Sequence, residues 1–306
     1  SSESVHSLLP VFMVATLGAS ASAVGLVEGV AESTALIVKV FSGTLSDFLG
    51  KRKGLAVLGY GLGALSKPLF AMAGTVNAVF GARFLDRVGK GVRGAPRDAL
   101  IADLTPEPIR GAAYGLRQSL DTVGAFLGPL LAMGLMFAFS GDLRAVFWIA
   151  AIPGSLSVLL LILGVQEPEP SARRRTGFPL SWAILMRLDS SYWSVVAVGA
   201  VFTLARFSEA FLILRAREQG LPDAFAPAVF VLLNLSYALS AYPAGRLADR
   251  VDRRILLACG LAVLITADLA LALGGAAAIA LGTALWGLHL GLTQGVLAAM
   301  VAAAAP

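Results

Sequence analysis

Long apolar runs alternate with short polar connections along the whole chain. The apolar runs occupy residues 1–18, 22–46, 54–73, 76–98, 111–139, 143–165, 191–214, 224–247, 255–273 and 276–300. Each run is continuously apolar rather than alternating in polarity, which favours helices over strands. Because about 20 apolar residues are enough for a helix to cross a bilayer, the pattern predicts an all-α membrane protein with ten transmembrane helices.

Composition narrows the class further. The sequence is 57% hydrophobic and only 14% charged, with a mean hydropathy of +0.80, whereas a typical soluble domain carries about 25% charged residues. One cysteine and two histidines are too few for a disulfide framework or a dedicated metal cage. The formal net charge of +5 is confined to short clusters between apolar runs, which is typical of membrane orientation rather than nucleic-acid binding. We therefore expect no metal, no cofactor and no nucleic-acid partner.

The basic clusters also predict an orientation. They follow the second, fourth, sixth and eighth apolar segments, and residues 51–53 and 173–175 are the densest. Most other connections carry no positive charge, with exceptions at Arg144 and at Arg215 with Arg217. Since positively charged connections are retained in the cytoplasm, we expect the even-numbered segments to end there and the N-terminus to be cytoplasmic.

One long polar stretch, residues 166–190, divides the chain. It is rich in proline and charge, which makes it a poor helix and a good linker. It separates residues 1–165, with six apolar segments, from residues 191–306, with four. A ten-residue pattern that begins at Gly43 returns at Gly245, at the end of the second apolar segment of each part, so the two parts are predicted to be repeats of one another.

The repeated pattern combines glycines, an aspartate and basic residues. Its first copy contains Gly43, Asp47, Gly50, Lys51 and Arg52, and its second copy contains Gly245, Asp249 and Arg253. Glycine permits close helix approach and tight turns, and the basic residues fix the loop at the cytoplasmic face. On these residues the sequence resembles the major facilitator superfamily, whose motif lies in the cytoplasmic loop between the second and third helices.

This resemblance implies a fold of two six-helix bundles. Two of an expected twelve helices, and the start of the first, would then be missing from this chain. In the family the repeated element acts as a charge-relay latch for the outward-facing state, and a simple positive-inside anchor is the alternative. Asp252 replaces the expected glycine in the second copy.

Charged residues recur at helical spacing in the fourth segment. Arg83, Asp86, Arg87 and Lys90 lie three and four residues apart, on one helical face. Charges within the bilayer cost at least about 3 kcal/mol each on insertion scales, so they should face protein or water. The stretch from Arg87 to Gly91 resembles the family's fourth-helix motif, in which the arginine is linked to proton transfer.

A structural alternative exists for these charges. They could simply pair with carboxylates of a neighbouring helix. Glu28 and Glu32, one helical turn apart on the second segment, are the candidate partners.

The fifth segment carries a second resemblance. Gly124, Gly128 and Pro129 partly match the family's antiporter motif, in which small residues allow close helix approach and proline bends the helix. Asp121 lies deep in the same segment. This pattern favours export by antiport.

Several isolated polar residues are further candidates for a central cavity. They are Glu3, His6, Arg206, Glu209, His289 and Gln294. Glu3 and His6 lie three residues apart near the expected membrane midplane, where a carboxylate beside an imidazole is a reasonable proton carrier; the alternative is that a truncated end exposes them. Arg206 and Glu209 are predicted to form a pair within one helix. Any of these residues could instead have only a packing role.

These patterns predict a secondary active transporter that works by alternating access between two helix bundles. Intramembrane carboxylates favour proton coupling, and the antiporter-like fifth helix favours efflux of a small organic compound. The cationic fourth helix instead suits uptake or exchange of a small organic anion, which is the alternative within this class.

Two other functional classes are the alternatives. A membrane phosphotransferase using Asp98 and Asp103 would need further aspartates at fixed spacing that the sequence lacks, so we predict no enzyme. A non-transporting remnant of a longer transporter is the remaining alternative. We expect a monomer in a bacterial inner membrane, with a small-molecule substrate and the lipid bilayer as its partners.

Overall fold

The computed structural model describes residues 2–167, 189–248 and 250–304, and within them it contains helices joined by turns and no strand. The helices are α1 (Ser2–His6), α2 (Leu9–Val11), α3 (Ala21–Leu49), α4 (Lys53–Met72), α5 (Val76–Leu104), α6 (Arg110–Ala138), α7 (Leu143–Gly164), α8 (Ser190–Leu204), α9 (Ala210–Glu218), α10 (Ala226–Ala248), α11 (Arg253–Leu273) and α12 (Ala276–Ala304). A π-helical turn, Phe12–Thr16, continues α2. Most of the expected linker lies outside the described residues, so the boundaries 1–165, 166–190 and 191–306 stay a prediction.

Six helices of the described chain are long and apolar enough to cross a membrane. They are α4, α6, α7, α10, α11 and α12. Two more, α3 and α5, have 29 residues each and carry the charged side chains of a buried cluster described below. The all-α class is confirmed, whereas the count of ten crossing helices stays a prediction.

The first and seventh apolar segments are interrupted, and the prediction of one continuous helix in each is wrong. In the first, α1 ends at His6 and α2 begins at Leu9. In the seventh, residues 205–209 separate α8 from α9. The two interruptions fall in the corresponding segments of the two repeats.

Side-chain bonding accompanies the second interruption. Arg206 Nε donates a hydrogen bond of 3.2 Å to the Phe202 carbonyl oxygen, an acceptor that the end of α8 leaves without a helical partner. Ser208 Oγ accepts from the Ala210 N–H at 3.3 Å, at the start of α9. Arg206 and Glu209 therefore lie in the stretch between two helices and not, as predicted, within one helix.

The described chain divides into two units. The first contains α1 to α5, α7 and most of α6, and the second contains α8 to α12 with the six residues Ala125–Leu130. In the first unit α5 packs against α3 and α4, and α4 packs against α7. In the second unit α12 packs against α10 and α11 in the same way. Thus α3, α4 and α5 correspond to α10, α11 and α12.

Glycines allow the closest helix contacts of the first unit. A Cβ atom at Gly59 would lie 2.6 Å from the Gly89 carbonyl oxygen and 2.6 Å from the Arg93 nitrogen. A Cβ atom at Gly91 would lie 2.8 Å from the Ala35 carbonyl oxygen. Since real Cβ atoms do not approach backbone this closely, α5 contacts both α3 and α4 through positions where only glycine fits.

Two arginines that departed from the expected charge pattern bind helix ends. Arg144 of α7 donates to the Ala71 and Ala73 carbonyl oxygens at the end of α4, at 2.5 and 2.8 Å. Arg215 of α9 donates to the Leu271 carbonyl oxygen at the end of α11, at 3.0 Å. The last carbonyls of a helix lack intrahelical donors and carry partial negative charge. These arginines thus have a structural partner in each repeat, independent of membrane orientation.

Candidate functional site

A cluster of ionisable side chains is buried inside the first unit. We define the buried charge cluster as Glu28 of α3, Lys67 of α4, and Arg83, Asp86 and Arg87 of α5. Each of the five residues is at most 4% exposed. Because α5 packs against both α3 and α4, the helical spacing on its charged face brings the partners from both neighbours to one place.

Glu28 is the meeting point of two basic side chains. Its Oε2 atom lies 2.6 Å from Arg83 Nη2 and 3.6 Å from His6 Nε2. Its other oxygen, Oε1, is buried with no hydrogen-bond partner among the described residues, and so is Arg83 Nε. Buried polar groups usually have partners, so this pair retains capacity to bind a proton, water or ligand.

Asp86 is the second anionic centre of the cluster. Its Oδ1 atom accepts from Lys67 Nζ at 2.6 Å and from Ser66 Oγ at 3.2 Å. Its Oδ2 atom lies 3.5 Å from Arg87 Nε and 3.9 Å from Arg83 Nη1. One carboxylate thus contacts three cations.

The cluster continues toward a more exposed pair. Glu32 Oε1 lies 2.9 Å from Arg87 Nη1, and Glu32 Oε2 lies 3.9 Å from Lys90 Nζ. The side chains of Glu32 and Lys90 are 46% and 52% exposed. Glu3 lies on α1. The network therefore runs without a break from a fully buried carboxylate to accessible groups.

The buried charges do not balance. The five cluster residues comprise three cations, Lys67, Arg83 and Arg87, against two carboxylates, Glu28 and Asp86. A net positive charge in a low-dielectric interior is costly unless it is paired. The cluster accordingly favours an additional negative charge nearby, which Glu32 supplies from its accessible position.

The first copy of the repeated motif forms ion pairs between helix ends. Gly50 ends α3 with a positive φ of 62°. Arg52, two residues later, has Nε 3.1 Å from Asp103 Oδ2 of α5 and Nη2 3.6 Å from Asp47 Oδ1 of α3. Gly43 packs closely on α5, since a Cβ atom there would lie 3.2 Å from the Ala95 Cβ atom.

A further carboxylate at this end was not predicted. Glu167, just after α7, accepts from the backbone N–H of Arg52 at 2.6 Å and from that of Lys53 at 3.0 Å. The first N–H groups of a helix lack acceptors and attract negative charge, so Glu167 binds the start of α4. The end of α7 is thereby joined to the loop that carries the motif.

The second copy of the motif is described only in part. Asp249 lies outside the described residues. Gly245 lies within α10, and Arg253 is the first residue of α11. Asp252, which replaces the expected glycine, accepts from the Arg254 N–H at 2.9 Å and so caps the start of α11.

The fifth-helix candidates all lie on α6. Asp121 binds Arg117 at 2.8 Å and lies 3.8 Å from Arg97 Nη1. Pro129 lies within α6, which is continuous from Arg110 to Ala138. Gly124 and Gly128 lie on the same helix, where their role in close helix approach stays a prediction.

The second unit places His289 and Gln294 on α12. His289 is fully buried, and its Nδ1 atom lies 2.8 Å from the Gly260 carbonyl oxygen. Since a carbonyl oxygen only accepts, Nδ1 donates this hydrogen bond, and Nε2 has no hydrogen-bond partner in the described chain. Trp286, one turn away, also buries an unpartnered indole Nε1.

Two charged residues, one inside each unit, were not predicted as candidates from the sequence. Lys67 in the third apolar segment binds Asp86, and Asp268 in the ninth buries one carboxylate oxygen that has no partner within the described ranges. A signal existed in both cases, because each is an isolated charge deep within an apolar run.

The chain matches a known protein family over almost its whole length. The model of the family described as Major Facilitator Superfamily matches residues 2–306. The chain is 31% identical over 266 residues to an uncharacterized MFS-type transporter of Methanocaldococcus jannaschii, covering 85% of this chain and 65% of that protein. It therefore spans slightly less than two thirds of that relative's length.

Two further similarities are with a named protein and a solved structure. The chain is 27% identical over 198 residues to the quinolone resistance protein NorA of Staphylococcus aureus, covering 64% of this chain and 48% of that protein. The crystal structure of a bacterial homolog of the human lysosomal transporter Spinster, in an inward-facing and unoccupied conformation, matches with a TM-score of 0.68 and 17% identity. That match covers 99% of this chain and 74% of the other, and it shows a shared fold.

Proposed function

Since the chain belongs to the major facilitator superfamily, we propose that it is part of a secondary transporter that moves a small solute across a membrane by alternating access, coupled to protons. Family membership and the six apolar helices make it a multi-pass membrane protein. The proposal assigns movement of the solute and no chemical conversion of it.

The buried charge cluster is the observation that carries this proposal. Ionisable groups inside a membrane segment are costly and usually functional. Glu28 contacts both Arg83 and His6, and it has an unpartnered oxygen. In the proposed mechanism a proton passes between His6 and Glu28. Protonation of Glu28 weakens its ion pair with Arg83, so the proton changes the packing of α3 against α5.

Efflux by antiport is the proposed direction. The antiporter-like residues of α6 favour it, and the name of the Staphylococcus aureus relative, a quinolone resistance protein, supports a drug-like organic compound as the solute.

The proposed topology has ten crossing segments. In it α3, α5 and the two interrupted segments cross the membrane in addition to the six apolar helices. The N-terminus and the ion pairs of Arg52 lie in the cytoplasm of a bacterial inner membrane. Asp47, Arg52 and Asp103 then act as a latch that must open and close during transport, and Glu167 ties α7 to it.

One observation favours a second candidate function. The buried charge cluster has one cation in excess, and Arg87 of this cluster pairs with the half-exposed Glu32. This arrangement suits an anionic solute that replaces Glu32 as the partner of Arg87. Exchange of a small organic anion is therefore the alternative within the same transport class.

Proton movement in liposomes tests the proposal. The protein with its complete chain is reconstituted into liposomes that contain a pH-sensitive dye and have an acidic interior. Addition of a quinolone outside should raise the internal pH, because protons leave as the quinolone enters. Protein-free liposomes and the Glu107→Gln variant, whose carboxylate is 83% exposed, are the controls.

Two results would count against proton-coupled efflux. Quinolone entry without a pH change would contradict proton coupling. Benzoate exchange in the absence of any quinolone movement would favour the anion candidate instead.

A further inference from the structure

The second unit has no counterpart of the Lys67 ammonium group, which pairs with Asp86 in the first unit. Lys67 and Asp268 each lie five residues before the last residue of their corresponding helices, α4 and α11. Asp86 and Trp286 are each the eleventh residue of their corresponding 29-residue helices, α5 and α12. The buried Lys67–Asp86 ion pair of the first unit is thus replaced by a carboxylate and an indole in the second.

Asp268 has no counter-ion of its own in the described chain. Its Oδ1 atom is buried with no hydrogen-bond partner, and no described cation lies within 4.0 Å of it. Arg215 is close in space but otherwise engaged. It binds Glu218 at 3.2 Å and the carbonyl oxygens of Leu271 and Ala272 at 3.0 and 3.3 Å. The carboxylate therefore retains its capacity to bind a cation.

A cavity adjoins this carboxylate. Its volume is about 370 Å³, and it is lined by Phe207, Phe211, Leu212, Arg215, Asp268, Leu271 and Ala272. The rings of Phe207 and Phe211 lie edge to face with centroids 6.3 Å apart. The cavity thus combines one carboxylate with two aromatic rings, aliphatic walls and the Arg215 guanidinium, which is bound to Glu218 and to the carbonyl oxygens at the end of α11.

One wall of the cavity is not part of a regular helix. Phe207 lies in the stretch 205–209 between α8 and α9, and its ring centroid is 5.4 Å from that of Trp286. Interrupted segments at corresponding positions of the two halves of a transporter are a general indication of a binding site. Phe207 is therefore placed where a change in the interrupted stretch alters the cavity.

We propose that this cavity binds an organic cation, with its ammonium group at Asp268 and its apolar part against Phe207 and Phe211. Carboxylate pairing satisfies the charge of an ammonium group, and aromatic faces attract cations. The ligand supplies the positive charge that Lys67 supplies in the first unit. The inference rests on the proposed function only in treating the bound cation as a transported substrate.

Binding of a permanent cation and of an anion to the purified complete protein tests this site. The probes are benzyltrimethylammonium and benzoate, measured by isothermal titration calorimetry in detergent. The wild type should bind the cation and not bind benzoate at the same concentrations. Asp268→Asn should weaken cation binding about tenfold or more, and Asp268→Glu should retain it.

A matched control removes a different carboxylate of the same unit. Asp223 pairs with Arg217 at 2.7 Å and does not line the cavity, so Asp223→Asn should change the affinity less than about twofold. If Asp268→Asn does not fold, Phe211→Leu decides, since it removes the ring and keeps an apolar side chain. Phe211→Leu should weaken the affinity for the cation about threefold.

The results that would contradict the cation site differ from those that would contradict the proposed transport function. Equal affinity of the wild type and Asp268→Asn, an unchanged affinity in Phe211→Leu, or binding of benzoate in place of the cation would each overturn the site. Cation binding that depends on Asp268 in a protein without transport activity would support the site and contradict the proposed function.

Discussion

Replacement of Glu28 by glutamine is expected to lower the free energy of unfolding by about 3–5 kcal/mol, the usual cost of breaking a buried ion pair by removing one partner. Both Glu28 and Arg83 are 2% exposed and their charged atoms lie 2.6 Å apart. The variant keeps the shape of the side chain but leaves the Arg83 guanidinium, among the described residues, with Asp86 at 3.9 Å as its remaining carboxylate partner. Thermal unfolding of the purified protein, followed by intrinsic fluorescence, measures the effect.

Two variants separate the charge effect from a general loss of packing. Glu107→Gln removes a carboxylate whose side chain is 83% exposed and should cost about 1 kcal/mol or less. The double variant Glu28→Gln/Arg83→Met removes both buried charges and should recover most of the lost stability. It should still fail in proton-coupled transport, because the proposed proton site is absent. Wild-type stability in Glu28→Gln would show that this ion pair does not hold α3 to α5.

Substitution of Gly59 by alanine is the second change with a large expected effect. The added Cβ atom would lie 2.6 Å from the Gly89 carbonyl oxygen and 2.6 Å from the Arg93 nitrogen, so α4 and α5 must separate. Overpacking of this kind costs about 1–3 kcal/mol. It also displaces the helix that carries Asp86 relative to the helix that carries Lys67, so transport should fall with stability.

The same helix offers a matched control. A Cβ atom at Gly61 would have no heavy atom of a neighbouring helix within 4 Å. Gly61→Ala should therefore leave the free energy of unfolding unchanged or raise it by at most about 1 kcal/mol, the difference in helix propensity between glycine and alanine. Equal melting temperatures for Gly59→Ala and Gly61→Ala would contradict the close approach of α4 and α5.

The membrane class and the internal repeat could be predicted from the sequence because they depend on local patterns. Apolar runs of bilayer length and a pattern that returns at Gly245 need no knowledge of tertiary contacts. The charged face of the fourth segment was equally visible, since its residues are spaced three and four apart on one helix.

The interrupted helices could not be predicted in the same way. Residues 205–209 contain neither glycine nor proline, the usual signals for a helix break. The bonds found there, from Arg206 to the Phe202 carbonyl and from Ala210 to Ser208, become visible only in the folded chain. A hydrophobic pattern alone favours one continuous helix across such a stretch.

The partners of charged side chains also could not be predicted where they lie far away in the sequence. Lys67 and Asp268 are visible as isolated charges in apolar runs, but their different surroundings are set by the neighbouring helix. Lys67 meets Asp86, whereas the corresponding position of α12 holds Trp286. Arg144 and Arg215 were predicted only as exceptions to a charge rule, because their acceptors are carbonyls of helices that lie far away in the sequence.

Counterflow across a liposome membrane tests the claim of alternating access most directly. Liposomes containing the complete protein are loaded with unlabelled quinolone and diluted into a trace of labelled quinolone, with no ion gradient. An alternating-access carrier exchanges one molecule for another, so the labelled compound should accumulate transiently above its equilibrium level and then decline. A monotonic approach to equilibrium at the rate of protein-free liposomes, for quinolone, benzyltrimethylammonium and benzoate alike, would contradict the assignment of these helices to a working transporter.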